Sequence, residues 1–319
     1  YPESTTLSTV EDALSTSQPM SSKHQLAVVV LLLGLSSAVQ AVVLWRAAAT
    51  AIDTVRYVGM AQAIGQHGLF EAIRRQREEP LFPVSIWIAH ESLRRVSDDA
   101  PSLWPLSAQL AAAAALVLCV VPVYFVALRL VGPAGAAVAG VFFGVLPEIC
   151  RLGAEGISDS THLLWFALAF WMLVEWWRGA GCLVMLPAGA ATALAVLARA
   201  EAIVLPLVLL LTAALIAMRD EARPAWTRWA IGLGGYALGM AMVLGPFFVA
   251  VQATTPTAAV ARLLGRAPAA AEQPATLPSD SPVWRFDDES PMAFDAREAG
   301  GRERHGRGLA PATRRYAEC

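Results

Sequence analysis

Bilayer-length apolar runs constrain this chain more than any other feature. Stretches near residues 26–46, 105–130, 133–149, 160–177, 182–198, 202–218 and 229–252 are almost free of charge. A hydrocarbon core about 30 Å thick needs ~20 apolar residues per helix. Backbone polar groups in lipid must be satisfied internally, so only helices or closed barrels cross it. These runs are continuous rather than alternating, which selects helices. The expected fold class is an all-α polytopic membrane protein with about seven transmembrane helices. Composition agrees, since 56% of the residues are hydrophobic and 16% charged, where a soluble domain carries about 25% charge.

The interruption Arg199-Ala200-Glu201 divides what would otherwise be one long apolar stretch, 182–218. A charge at the bilayer centre costs roughly 2.5–3.5 kcal/mol on insertion scales. A tight turn between two helices is therefore expected there. Residues 1–25 read as a disordered cytoplasmic lead, rich in Ser and Thr, and the following run as a retained span rather than a cleaved signal. Residues 26–252 form the expected transmembrane module, with a long first extracytoplasmic loop at 47–104. Residues 253–319 are Ala/Pro/Thr-rich and then charged and Gly/Arg-rich, a composition expected for linker and disordered tail.

Orientation follows from the short connections. With residues 1–25 cytoplasmic, that side holds Arg129, Arg178, Arg219, Arg223 and Arg228 against Asp220 and Glu221. The long loop carries six arginines and seven carboxylates, and long loops influence topology less than short ones. The other side then collects Asp53, Arg56, Tyr57, Arg74, Arg75, Arg77, Glu78, Glu79, His90, Arg151, Glu155, Asp159, His162, Arg199 and Glu201. Within the loop, helical periodicity is expected over 54–65, 69–77 and 83–94, with Gly65 and Gly68 stopping the first helix and Pro80 the second. These read as amphipathic helices at the membrane surface or as caps on the bundle.

Four cysteines without CxxC spacing, Cys119, Cys150, Cys182 and Cys319, read as small core residues. His90-Glu91 has no second His at metalloprotease spacing. Net charge of −2 with no basic run gives no sign of nucleic acid. Gly140-x3-Gly144 and Gly235-x3-Gly239 are spaced for close helix packing.

Asp53 is the first candidate for chemistry. A carboxylate just past the first span can meet a water-soluble reactant and a lipid-borne one together. It also stands where an N-cap for the 54–65 helix is expected. Tyr57 follows one turn on, as a lining or a packing residue. Asp159 is either an N-cap or a second acidic site residue. Arg151 and Arg199 are candidates for binding a phosphate, and Arg199 and Glu201 are alternatively a pair that marks the turn. A divalent metal between Asp53 and Asp159 is compatible with these residues, and nothing demands one.

The order Asp53-x3-Tyr57-x3-Ala61, Glu79-Pro80-Leu81-Phe82-Pro83, Arg151-x6-Ser158-Asp159 and Ala198-Arg199-Ala200-Glu201 resembles membrane glycosyltransferases of the GT-C class. More narrowly, it is similar to the protein-mannosyltransferase-like (family 39) bacterial branch. The resemblance implies a polyprenyl-phosphate-sugar donor, an extracytoplasmic acceptor, inversion at the sugar, and a plasma-membrane enzyme working on its outer face. Asp53 falls at the family's catalytic acidic position, and Glu79 where a charged residue or His precedes the proline. Arg56, Tyr57, Glu79, Arg151, Asp159, Arg199 and Glu201 are the implied substrate-binding set, with membrane lipid as surroundings. Larger members of the class carry further spans, so the chain reads as a C-terminally truncated member. The rival readings are a transporter or lipid-handling protein without chemistry, and an inactive family member.

Overall fold

Helix α1 (Ser22–Arg46) is followed by three short helices, α2 (Ile52–His67), α3 (Leu69–Arg75) and α4 (Leu81–Arg94). Then come α5 (Leu103–Val145), α6 (Pro147–Glu155), α7 (Asp159–Trp177), α8 (Met185–Ala198), α9 (Val204–Ala217) and α10 (Trp226–Ala250). Short 3₁₀ turns, Cys182–Val184 and Ala200–Ile203, precede α8 and α9. The computed structural model describes residues 21–47, 51–75, 79–96, 102–218 and 226–250. All of these belong to a compact unit, Tyr1–Ala271; a second unit, Glu272–Cys319, and with it most of the expected tail, lies outside the described residues. No strand occurs among the described residues, and the chain is an all-α polytopic membrane protein.

By length and apolar character alone, Ser22–Arg46, Leu103–Val145 and Trp226–Val249 are long enough to cross a membrane, and Cys182–Ala198 and Ala200–Leu215 are shorter apolar helices. Among the described residues fewer helices meet that length and apolar character than the seven expected runs. Helix α5 covers one of those runs and most of another. At Gly132 the backbone leaves the helical region (φ 81°, ψ −179°), a conformation open to glycine. Residues 133–145 then turn back along 103–131, so that Ala136 packs beside Val120 and Tyr124. Pro133 has no N–H, and the carbonyl of Arg129 therefore loses its helical donor. Arg178 Nη1 donates to it instead, at 2.8 Å.

The third expected run, 133–149, is not one helix. Leu146 is extended, as a residue before proline prefers, and Pro147 opens α6. Helix α6 carries the crossing on until Gly153 lies against Ala113. Helix α1 begins at Ser22, so the end of the expected lead is helical. Its buried stripe Leu32, Ser36 and Gln40, one residue per helical turn, fits against Gly140, Gly144 and Gly153.

The break at Arg199 (φ −158°, ψ 133°) falls where the two apolar helices were expected to part. Helix α8 is buried along most of its length by Ala188, Ala191, Ala193 and Ala195. Small side chains let neighbouring backbones approach closely, which is how helices associate in lipid. A Cβ on Gly239 would lie 2.9 Å from the Ala190 nitrogen, and one on Gly189 would lie 2.8 Å from the Tyr236 carbonyl carbon. Gly235, its partner in the spaced pair, has ordinary clearance of 3.8 Å. The Tyr236 hydroxyl donates to Thr192 Oγ1 at 2.9 Å, fixing the same seam.

The three loop helices cap one end of the bundle. Met60, Ile64, Ala72 and Ile73 form a cluster reached by Phe247 of α10. Ala61, Phe82 and Ile86 pack against Ala108 and Ala112 of α5. Gly65 does not stop α2, contrary to expectation; it lies inside the helix opposite Trp87, and Gly68 (φ 83°) ends it. The expected extension of α3 to Arg77 lies outside the described residues.

Replacing Gly189 by Val should destabilise the α8–α10 seam by about 1–3 kcal/mol, the usual cost of overpacking. Gly34→Ala, where a Cβ meets nothing within 4 Å, should leave thermal unfolding in detergent unchanged. Equal melting of the two variants would refute the close-packing assignment.

Candidate active site

Two helix ends meet at the capped end of the bundle. The last carbonyls of a helix and the first N–H groups of another have no partners within their own helices. Here they supply one another. The Ala51 N–H donates to the Glu155 carbonyl at 3.2 Å. The buried Thr54 hydroxyl lies 2.7 Å from the same carbonyl and 3.1 Å from that of Gly156. Gln109 Nε2 donates to the Ala154 carbonyl at 2.7 Å. The negative end of α6 thus faces the positive end of α2, a favourable alignment of dipoles. Gly156 takes a left-handed conformation (φ 68°), and a Cβ there would sit 3.2 Å from the Gln109 nitrogen. Both facts favour glycine.

Asp53 and Arg56 project from the first turns of α2. Both are exposed, and neither has a hydrogen bond or ion pair among the described residues. The N-cap of α2 is Ala51 rather than Asp53, which is the second residue of the helix. An acidic residue there complements the helix dipole. Tyr57 turns inward: its hydroxyl is 3.0 Å from Ser158 Oγ, and its ring meets Phe82 edge-on at 5.3 Å. Tyr57 therefore joins α2 to the start of α7 and to α4, where Glu79 precedes the helix.

Ser158 occupies the N-cap position of α7, so Asp159 opens the helix instead of capping it. Its carboxylate accepts a hydrogen bond from Arg199 Nη1. Arg199 also holds Glu201, with Nη2 3.2 Å and Nε 3.4 Å from its two oxygens. The extended backbone at Arg199 lets one guanidinium serve both carboxylates. Burial disfavours the Arg199 charge, yet the hydrogen bond to Glu201 and the charges of Asp159 and Glu201 outweigh it and raise its pKa. Glu201 is held below the ordinary glutamate range, first by the Arg199 hydrogen bond and then by a backbone N–H, against a desolvation cost. His162 Nδ1 lies 3.3 Å from the Ala195 carbonyl, a packing contact on the inner side of this cluster.

Arg151 is committed elsewhere. It pairs with Glu148 and Glu155, each at 3.4 Å, along the exposed face of α6. Such surface pairs contribute little energy, but they leave the guanidinium partly neutralised. His90 is buried and stacked on Trp104 at 3.6 Å. Among the described residues no group of three or more His, Cys, Asp or Glu side chains converges as metal ligands. The structure therefore joins Asp159, Arg199 and Glu201 into one cluster, ties Tyr57 to Ser158 at its edge, and leaves Asp53 and Arg56 exposed on the first turns of α2. Arg77 and Glu78 lie outside the described residues. Thr54 and Gln109, which hold the joint, carry no sequence signal, because nothing in a lone Thr or Gln names the carbonyl it will reach.

Residues 79–248 match the family model described as dolichyl-phosphate-mannose-protein mannosyltransferase. The match covers more than half of the chain, and the chain belongs to that family. It is a membrane glycosyltransferase of the GT-C type. Glu79, Arg151, Asp159, Arg199 and Glu201 lie within the matched segment; Asp53, Arg56 and Tyr57 precede it. No curated protein matches the chain.

Thr54→Val keeps the shape but removes the donor to two buried carbonyls, so stability should fall by about 1–3 kcal/mol. Hydrogen exchange at the first turn of α2 should quicken, and an unchanged rate would show that the joint is held by other means. The depressed Glu201 pKa gives a pH signature. A lowered carboxylate contributes stability above its unfolded pKa and loses it as pH falls through the folded one. The difference in melting temperature between wild type and Glu201→Gln should be constant above about pH 5 and shrink below the ordinary glutamate range. A difference that grows on acidification would contradict the pairing.

Proposed function

We propose that this enzyme transfers a sugar from a polyprenyl-phosphate donor to a hydroxyl acceptor, on the extracytoplasmic face of a bacterial plasma membrane and with inversion. The observation that carries the reading is the arrangement on α2. Asp53 and Arg56 share an exposed face one turn apart, on a helix end fastened to the start of α7 beside the Asp159–Arg199–Glu201 cluster.

In this reading Asp53 is the general base. It takes the acceptor hydroxyl proton as that oxygen attacks the anomeric carbon, and the bond from that carbon to the phosphate oxygen breaks. The bond electrons leave on the lipid phosphate, whose gathering charge needs a cation. Arg56 is the one proposed for it, since Arg199 and Arg151 are already paired. A guanidinium suits phosphate through its two parallel N–H donors. Tyr57 and Glu79 line the approach from α2 and α4. Asp159, Arg199 and Glu201 act as a rigid charged floor that orients the acceptor and keeps the turn before α9 in place.

Asp53→Asn should lower glycan transfer by about 10²–10⁴-fold, the range a positioned base supplies, with expression and folding intact. Arg56→Gln should lower kcat with the donor, beyond any rise in its KM, because the charge Arg56 meets grows as the bond breaks. Product analysis with a polyprenyl-phosphate-sugar donor would read both. Full activity in Asp53→Asn together with loss in Asp159→Asn would move the base to Asp159 and refute this assignment.

A further inference from the structure

The opposite end of the bundle carries a second polar assembly that the transfer reaction does not use. Arg129 Nε pairs with Glu175 at 2.7 Å, and Trp171 Nε1 donates to the same carboxylate at 3.1 Å. Arg178 uses Nη1 on the Arg129 carbonyl. Arg228 donates to the carbonyls of Trp176 and Ala180 and lies over the Trp176 ring at 5.7 Å. Arg178 and Arg228 form no ion pair among the described residues, although the Arg178 charge also acts on Glu175, and arginines outnumber carboxylates among the described groups there.

An apolar groove of about 370 Å³ runs up to this assembly between α5 and α7. Pro122, Val126 and Leu130 line it from α5, and Phe166 and Phe170 from α7. Both walls end in charge. On α7, Phe166 and Phe170 lie one turn apart on the groove, and Arg178, which follows the last residue of that helix, reaches the Arg129 carbonyl beside Leu130. On α5, Val126 leads one turn on to Arg129 and Leu130. The groove is therefore hydrocarbon-like along its length and cationic at its end. Leu130, Val131 and Phe170, all on its rim, are exposed.

We propose that this groove binds an anionic phospholipid of the surrounding bilayer, with an acyl chain against α5 and α7 and the phosphate on Arg178, which forms no ion pair among the described residues. Charge complementarity selects the occupant. A zwitterionic lipid would fill the groove equally well but offers Arg178 no net charge, and free phosphate would leave the apolar walls uncovered. Basic pockets between membrane helices hold anionic headgroups on this physical basis. The site lies at the far end of the bundle from Asp53 and is independent of the transfer mechanism.

Native mass spectrometry of the full chain with equal amounts of phosphatidylglycerol and phosphatidylcholine tests it. Wild type should retain phosphatidylglycerol preferentially. Arg178→Gln should weaken that lipid about fivefold, the effect of one charge near a membrane headgroup, and leave phosphatidylcholine unchanged. Misfolding would instead lower both lipids together, so the ratio within each variant separates the two. Arg178→Lys, which keeps the charge, should keep the preference. Ala127→Phe, which fills the groove from α5, should lower both lipids with helix content intact by circular dichroism. Equal retention of the two lipids by wild type would overturn the proposal. So would displacement of phosphatidylglycerol by inorganic phosphate with no effect of Ala127→Phe.

Discussion

The head-to-head meeting of α6 and α2 is the interaction on which the rest of this site depends. Each helix ends with backbone groups that its own hydrogen-bond ladder cannot satisfy. At a buried junction those groups would be costly if left unpaired. Ala51, Thr54 and Gln109 pair them. That closure sets the position of α2, and with it the positions of Asp53, Arg56 and Tyr57. It also explains why Gly156 is glycine, since a side chain there would push the loop off α5.

A second principle runs through the transmembrane part. Lipid offers helices no hydrophobic reason to associate, so contact depends on shape and a few polar bonds. Alanines on α8, glycines on α5, α6 and α10, and the Tyr236–Thr192 hydrogen bond supply both. Large apolar side chains are pushed outward: Leu207, Leu210 and Leu211 of α9 are exposed, as are Leu26, Val30 and Leu31 of α1. Charge is kept at the two ends. The Asp159–Arg199–Glu201 cluster stands at one and the Arg129–Glu175 pair at the other, where water and headgroups relieve the cost of burying ions.

The arginines divide according to their partners. Arg199 and Arg151 looked like phosphate binders by type and placement, but both are held by carboxylates. A paired guanidinium orients structure better than it captures a new anion. Arg56 is the arginine of the site that has no partner among the described residues. Membership of the glycosyltransferase family rests on residues 79–248, so the role of α2 is supported by geometry and chemistry rather than by the family match.

The sequence by itself determined the class of fold and named the residues of a candidate site. Apolar run length dictates membrane helices, the charges at 199 and 201 force a turn, and the loop's helical periodicity anticipates α2, α3 and α4 closely. Those features are local, and lipid permits few alternatives to them. Only the tertiary structure decided which groups pair. Gly132 and Pro133 fold α5 into a hairpin whose open carbonyl is taken by Arg178 from another helix. Asp53 and Asp159, both eligible as caps by residue type, stand inside their helices because Ala51 and Ser158 take the cap positions. Arg199 engages Asp159 across forty positions of chain. No local pattern specifies such partners, because they depend on where distant helix ends arrive once the seams have packed.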